Sequence, residues 1–285
     1  MSDQWSTVSC SYREDLLESS ALAPLLRMKP LPFAHPNGIP IAERIKKLDA
    51  VAPDHLTAKR LLQMKYFNYS DLDDSVPLFA FVGRITQQKG VHLILEVAEE
   101  VIPKYNYKVQ FLVGGPGNMN DPYSAKCANM MWNLKHKYPN CFWAAPEEFF
   151  TDGSLVNRGT DFGLMPSLFE PGGIVQHEFF VGSTPVIAFK TGGLKDSVIE
   201  FLWDSEIGCG YTFESYEKKD FIFAIERALG TFSNKQKYAK LRVNAFNATM
   251  PGETVCKAWL NEFYRLRGKV YVDFKTMIES QTQFK

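Results

Sequence analysis

Three short stretches combine cations, carboxylates and glycines at spacings suited to holding a diphosphate. Residues 83–90, GRITQQKG, place Arg84 and Lys89 on either side of a loop that runs into an apolar-periodic segment from Val91. Two cations beside a helix start suit a pyrophosphate, because the first N–H groups of a helix lack intrahelical acceptors and carry partial positive charge. A solvated loop with a lysine near a helix start accounts for the spacing equally well. In residues 166–182, PSLFEPGGIVQHEFFVG, Glu170 and Pro171 end an apolar run and Gly172-Gly173 open a helix, whose free N–H groups point outward to phosphate oxygens. Seven residues separate Glu170 from Glu178, so one sits on the loop and the other on the helix, and both can face one crevice. Carboxylates at such a spacing are also common on plain surfaces. His177 reads as a packed or exposed helix residue, since adjacent helical residues face different ways.

Two further glycine clusters accompany these. Gly114-Gly115-Pro116-Gly117 ends an apolar run; its glycines permit positive φ and close approach of a ligand to the backbone, although a tight turn is the simpler reading. It is not a dinucleotide fingerprint, because the G-x-G-x-x-G spacing is absent and the position is late. In KTGGLKDSV, residues 190–198, Thr191 and Gly192 precede a helix start with Asp196 in its first turn. That loop can close over a nucleotide or merely cap a helix, and Lys190 and Lys195 serve by default as surface solubilisers.

The elements that must position these residues alternate. Apolar runs at 77–83, 108–113, 141–145, 161–166 and 184–189 are separated by longer amphipathic segments, the pattern of a parallel sheet with crossover helices and hence of an α/β fold. Ile94, Val97, Ala98, Val101 and Ile102 share one face of the first such helix. In open parallel sheets ligands bind beyond the carboxyl ends of the strands, so the loops named above should converge on one crevice. Beyond Tyr216 the chain reads as helices, with Phe221, Ile225 and Leu229 at helical spacing and a second stripe through Val255, Trp259, Leu260, Phe263 and Leu266. Residues 269–285 lose that periodicity and read as a loosely held tail. Residues 11–26 read as one helix, and MKPLPFAHPNGIP after it as a linker.

Composition bounds the classes. The 285 residues are 45% apolar, enough for one or two cores. The 32 basic and 32 acidic side chains cancel, leaving no net field toward nucleic acid or an anionic membrane. Five cysteines, at 10, 127, 141, 209 and 256, lack C-x-x-C spacing, which argues against a disulfide framework and a zinc site and places them in or near the core. No run reaches the roughly 18 apolar residues of a membrane span, and the first residues have no signal-peptide core. The sequons at Asn68 and Asn247 then read as chance matches.

Taken in order, GRITQQKG and FEPGGIVQHEFFVGSTPVIAFKTGGLKDSV resemble the carboxyl-terminal domain of starch and glycogen synthases of the bacterial and plant type, retaining glucosyltransferases of the two-domain GT-B fold. More weakly, WSTVSCSYREDLL resembles the end of the family's amino-terminal domain and HPNGIP the interdomain connection. The resemblance implies a Rossmann-like parallel sheet flanked by helices, with residues 1–36 a remnant and linker, 37–268 the nucleotide-sugar domain and 269–285 a tail. It implies that Arg84 and Lys89 neutralise the donor diphosphate and that Glu170 lies beside the donor glucose. The backbone of Gly172, Gly173, Ile174 and Val175 would cradle phosphate. Gly114 and Gly115 would join Thr191 and Gly192 near the nucleotide, and Glu178 would hold the ribose hydroxyls.

The partners implied are a nucleotide sugar and an α-glucan acceptor, the latter through an amino-terminal domain carrying K-x-G-G-L, of which no counterpart precedes Met1. No metal or cofactor is expected, nor nucleic acid or membrane, and the compartment expected is the cytoplasm, or a plastid if a transit peptide lies upstream. The fragment alone is expected to lack turnover, with residues 1–36 poorly packed. Bacterial glycogen synthases often lack a glutamate at the Glu178 position. Where some relatives stack an aromatic on the base, this chain reads AAPEEFF, with Phe149 or Phe150 as candidates, so ADP-glucose and UDP-glucose both stay open. A nucleotide-binding short form without catalysis, or a retaining transferase with another acceptor such as a sucrose-type synthase, are the alternatives.

Overall fold

The computed structural model describes residues 4–67 and 73–282, with side-chain surroundings as far as residue 277; the Asn68 sequon lies outside the described residues. The chain begins with β1 (Ser6–Thr7), α1 (Cys10–Glu18), α2 (Ala23–Arg27), β2 (Phe33–Ala34), α3 (Ile41–Val51) and α4 (His55–Phe67). Strands and helices then alternate: β3 (Leu78–Val82), α5 (Val91–Lys104), β4 (Gln110–Gly114), α6 (Pro122–Lys137), β5 (Phe142–Ala145), α7 (Gly153–Gly159) and β6 (Phe162–Met165). The series continues through α8 (Val175–Val181), β7 (Val186–Phe189), α9 (Gly192–Ser197), β8 (Gly210–Phe213), α10 (Lys218–Ser233), α11 (Lys235–Asn247) and α12 (Gly252–Thr282).

Six of the strands form one parallel sheet in the order β5-β4-β3-β6-β7-β8. Successive side chains along a strand point to opposite faces at a period of two, which divides β3 between two cores. Phe79 and Phe81 pack with Ile94 and Val101 of α5, Met131 of α6 and Phe221 of α10. Leu78 and Ala80 pack with Leu62 of α4, Val156 of α7, Phe179 of α8 and Leu194 of α9. Burial on both faces is why these strands read as unbroken apolar runs rather than alternating ones. The chain crosses from β3 outward to β4 and β5, then returns to lay β6 on the other side of β3. That reversal opens a crevice beyond the carboxyl ends of β3 and β6.

Several expectations need correction. β8 was not legible: in its four residues, GYTF, Gly210 and Thr212 interrupt Tyr211 and Phe213, so no apolar run stands out. Residues 11–26 are not one helix but α1 and α2, broken after Glu18, with Pro24 seated at the start of α2, where a missing N–H costs nothing. The stretch after Met28 is not a bare linker, because Phe33 and Ala34 pair in parallel with Ser6 and Thr7. Residues 269–282 continue α12, and the side chains of residues 269–277 are exposed along it. The apolar stripe of that helix does not face the core. Trp259 packs on the rings of Phe33 and His35 at 5.1 and 5.3 Å, while Leu260 and Phe263 are exposed.

The first segment, expected to be poorly packed or to pair abnormally, is anchored at α1, while Leu22, Leu25, Met28 and Leu31 remain exposed. α1 lies on α9, Ser9 Oγ donates to the Pro171 carbonyl, and Ser11 donates from N and Oγ to the Asp196 carboxylate. Cys127, Cys141 and Cys209 are buried, but Cys10 and Cys256 are exposed and all five are free. No helix among the described residues is long and apolar enough to cross a membrane.

Candidate nucleotide-sugar site at the sheet reversal

The loop after β3 is fastened to the loop after β4 by Gly83 N donating to Gly114 O at 3.2 Å and Ile85 N to Pro116 O at 3.0 Å. This closeness dictates the glycines. Gly115 has φ +149°, and a Cβ there would lie 1.7 Å from the Gly83 carbonyl oxygen. Gly114 lies under the Phe150 ring, which a Cβ would meet at 2.5 Å. Crowding within the protein, by backbone at Gly115 and by the Phe150 ring at Gly114, therefore fixes both residues before any ligand is considered. Phe150 is itself held among Tyr66 and Trp143, whereas Phe149 is 49% exposed.

Beyond Arg84 the chain makes a 3-10 turn at Gln87–Lys89 and leaves it through Gly90 at φ +66°, whose missing side chain admits the Pro166 carbonyl to 2.1 Å of the Cβ position. The loops after β3 and β6 thus touch. Leu168 N donates to Gln88 O at 2.8 Å and Gln88 Nε2 to Phe169 O at 2.9 Å. With the loops so joined, the Lys89 ammonium meets the Glu170 carboxylate, side chains 17% and 10% exposed. Ser167 Oγ adds a hydrogen bond of 3.1 Å to the same oxygen, Oε2. Glu170 Oε1 receives no hydrogen bond among the described residues. The Arg84 side chain is exposed and has neither ion-pair nor hydrogen-bond partner among them.

The third loop closes on the second. Gly193 N donates to Glu170 O at 2.8 Å, Thr191 Oγ1 reaches Leu168 O at 3.4 Å, and Gly192 takes φ +43° because the Glu170 carbonyl lies where its Cβ would be. Gly172 and Gly173 precede α8, with Gly173 at φ +69°. The N–H groups of Gly173, Ile174 and Val175 donate to no acceptor among the described residues, which leaves them available to an anion. Behind them the Gln176 amide nitrogen donates to Gly172 O at 3.0 Å and Ser197 Oγ at 3.2 Å.

Arg84, Lys89, Glu170, Gly114, Gly115, Gly172, Gly173, Ile174, Val175, Thr191 and Gly192 therefore occupy loops in direct contact at one rim. Glu178 stands apart from that set of contacts. It lies a turn inside α8, 22% exposed, and both its carboxylate oxygens take a hydrogen bond from Arg44 Nε at 2.8 Å. Arg44, on α3, was missed, and no motif in the sequence marks it. Ser167 and Gly90 were also missed, although each lies inside a motif that was read. His177 is a packing residue: its Nδ1 accepts from Met250 N at 3.3 Å, and burial pushes its pKa down to about 4.

A family model described as glycosyl transferases group 1 matches residues 63–247. Among curated relatives, glycogen synthase 2 of Nitrosococcus oceani is 27% identical over 226 residues, 78% of this chain and 44% of its own. Glycogen synthase of Clostridium botulinum (strain Eklund 17B / Type B) is 29% identical over 281 residues, 93% of this chain and 56% of its own. The chain thus spans about half the length of the curated relatives it matches. Among solved structures, the catalytic domain of starch synthase IV from Arabidopsis thaliana, bound to ADP and acarbose, superposes with TM-score 0.72 at 19% identity, over 93% of this chain and 56% of that one. Anabaena HepE in complex with UDP and glucose superposes with TM-score 0.65 at 16% identity, over 93% and 63%. The sheet and its helices share the Rossmann-like architecture of GT-B glycosyltransferases.

Proposed function

Because this chain belongs to the glycosyl transferases group 1, we propose that it is the donor-binding half of a retaining α-1,4-glucan synthase that transfers glucose from ADP-glucose or UDP-glucose to the non-reducing end of a glucan. The observation that carries the reading is the Lys89–Glu170 pair at the reversal of the sheet, flanked by the Arg84 side chain and by the N–H groups at the start of α8, none of which has a partner among the described residues. Arg84, Lys89 and the N–H groups of Gly173, Ile174 and Val175 take the charge of the diphosphate, both in the ground state and as the glycosidic bond breaks and the leaving group gains charge. Glu170, oriented by Lys89 and Ser167, keeps Oε1 for the donor sugar. Thr191 and Gly192 close the far side of the diphosphate, Gly114 and Gly115 let the nucleotide approach the backbone, and Glu178 holds the ribose. The protein's own cations and N–H dipoles supply this charge stabilisation, so the reading needs neither metal nor cofactor. The acceptor is bound by a second domain across the crevice, and catalysis consists of positioning and charge stabilisation between the two.

The test is incorporation of radiolabelled glucose from ADP-glucose and from UDP-glucose into glycogen by the full-length protein. Incorporation as α-1,4-linked product, with one donor preferred, is the expected result; no incorporation from either donor refutes the reading.

A further inference from the structure

The Arg44–Glu178 pair joins α3, which lies upstream of the family-matched residues 63–247, to the helix that opens the site. From that geometry we propose that Arg44 is a positioning residue for donor recognition, fixing Glu178 so that it can receive the two vicinal hydroxyls of a ribose. The inference rests on the donor-binding reading and deepens it. A carboxylate offers about four lone-pair sites on two oxygens. Arg44 Nε occupies one site on each oxygen, at 2.8 Å to both, which leaves one on each. Two acceptors at carboxylate spacing match the two hydroxyls of a cis-diol, which sit side by side on adjacent ring carbons. Without Arg44 the side chain rotates about several bonds, and two hydroxyls must then order it at their own entropic cost.

The anchoring is itself braced. α3 is held by Ile39, Ile41, Ile45 and Leu48 packing on Val181, one turn beyond Glu178 on α8, so Arg44 projects from a fixed platform. A guanidinium suits this contact better than an ammonium, because its rigid N–H direction serves both oxygens at once, whereas an ammonium acts as a freely turning point charge.

The test compares binding of ADP and of 2′,3′-dideoxy-ADP to the chain and to its Arg44→Gln and Arg44→Lys variants by ligand-observed NMR titration, after thermal denaturation has shown that each variant folds. The wild-type chain should favour ADP over the dideoxy analogue by about a hundredfold, the weight of two hydrogen bonds to a charged group. Arg44→Gln should lower that ratio by about tenfold, the weight of ordering one side chain, while leaving dideoxy-ADP affinity unchanged, and Arg44→Lys should fall between. Equal weakening of both ligands, or an unchanged ratio, overturns the inference alone. A wild-type chain that binds neither ADP nor UDP overturns the donor reading and the inference with it. Variants that do not fold are replaced by Glu178→Gln, for which loss of the ribose preference is expected and its retention is decisive against the proposal.

Discussion

The two rims of the sheet each carry a lysine–carboxylate pair, Lys59 of α4 with Asp161 just before β6 and Lys89 with Glu170 beyond β3 and β6, and the pairs differ in what they leave unsatisfied. At the amino-terminal rim Lys59 and Asp161 are 0% and 1% exposed and 2.7 Å apart. Asp161 also receives Leu78 N at 2.7 Å, Tyr238 Oη at 2.7 Å and a contact from His55 Nε2 at 3.1 Å, and Lys59 donates to Asp74 O at 2.9 Å. Although its burial opposes ionisation, Lys59 and His55 hold the Asp161 carboxyl well below the usual carboxylate range. Every lone pair of Asp161 is spoken for, so this pair ties β3 to β6 and offers nothing to a ligand. At the carboxyl-terminal rim Lys89 and Glu170 are partly exposed, one carboxylate oxygen is free, and Arg84 beside them has no partner among the described residues. Identical chemistry serves architecture where it is saturated and, in the proposed reading, recognition where it is left open.

The sharpest way to break this contrast is to remove one lysine from each rim. Lys59→Ala leaves Asp161 charged and buried, and should cost about 3–5 kcal/mol of stability, read from urea denaturation. Lys89→Ala should cost only about 1–2 kcal/mol in the same measurement, since its partner borders the crevice. In the full-length enzyme the order reverses: Lys89→Ala and Arg84→Ala should each lower turnover by about 10²–10³-fold, as for loss of one charge-stabilising donor. If both variants leave turnover and ADP affinity unchanged, the roles assigned to the carboxyl-terminal rim are wrong.

Acid distinguishes the rims more gently. His177 beside the site and His55 at the other rim are both held below their ordinary pKa of 6.5, chiefly by burial, His177 at about 4. In each case the unfolded chain binds the proton more readily. Stability is therefore complete above pH 6.5 and falls as pH drops from 6.5 toward the folded values, by about 3 kcal/mol for His177 once pH reaches 4. The contribution of Asp161, with its pKa depressed, is present above about pH 4 and is lost only in stronger acid. Denaturation midpoints between pH 4 and 7.5 should follow this course, and His177→Asn should flatten it. A slope unaltered by that substitution would falsify the assignment.

A further effect is expected at Gly115. With φ at +149° and a carbonyl oxygen in the Cβ position, Gly115→Ala should cost about 1–3 kcal/mol by denaturation. It should also weaken ADP binding, because the same contact fixes Gly83 and hence Arg84.

What was legible in the sequence follows from local physics. Five strands announced themselves because strands buried on both faces are continuous apolar runs, and the glycines beside them because close backbone approach admits no side chain. The family resemblance then gathered Arg84, Lys89, Glu170 and the glycine loops into one site. The missing pieces were long-range or carried little local signal. β8 is four residues held by register with β7, and the break between α1 and α2 lies in SSAL, which contains neither glycine nor proline. The packing of residues 4–34 depends on Ser11 meeting Asp196, 185 positions away in sequence.

The sequence by itself determined the alternation of strand and helix, and with it the parallel sheet, because burial and periodicity act over a few residues. Only the tertiary structure decided which charges were left open. Lys59 and Lys89 are alike as letters, and so are Asp161 and Glu170 as acids. The number of partners each one meets depends on elements brought from elsewhere in the chain, and that number separates a strut from a binding group.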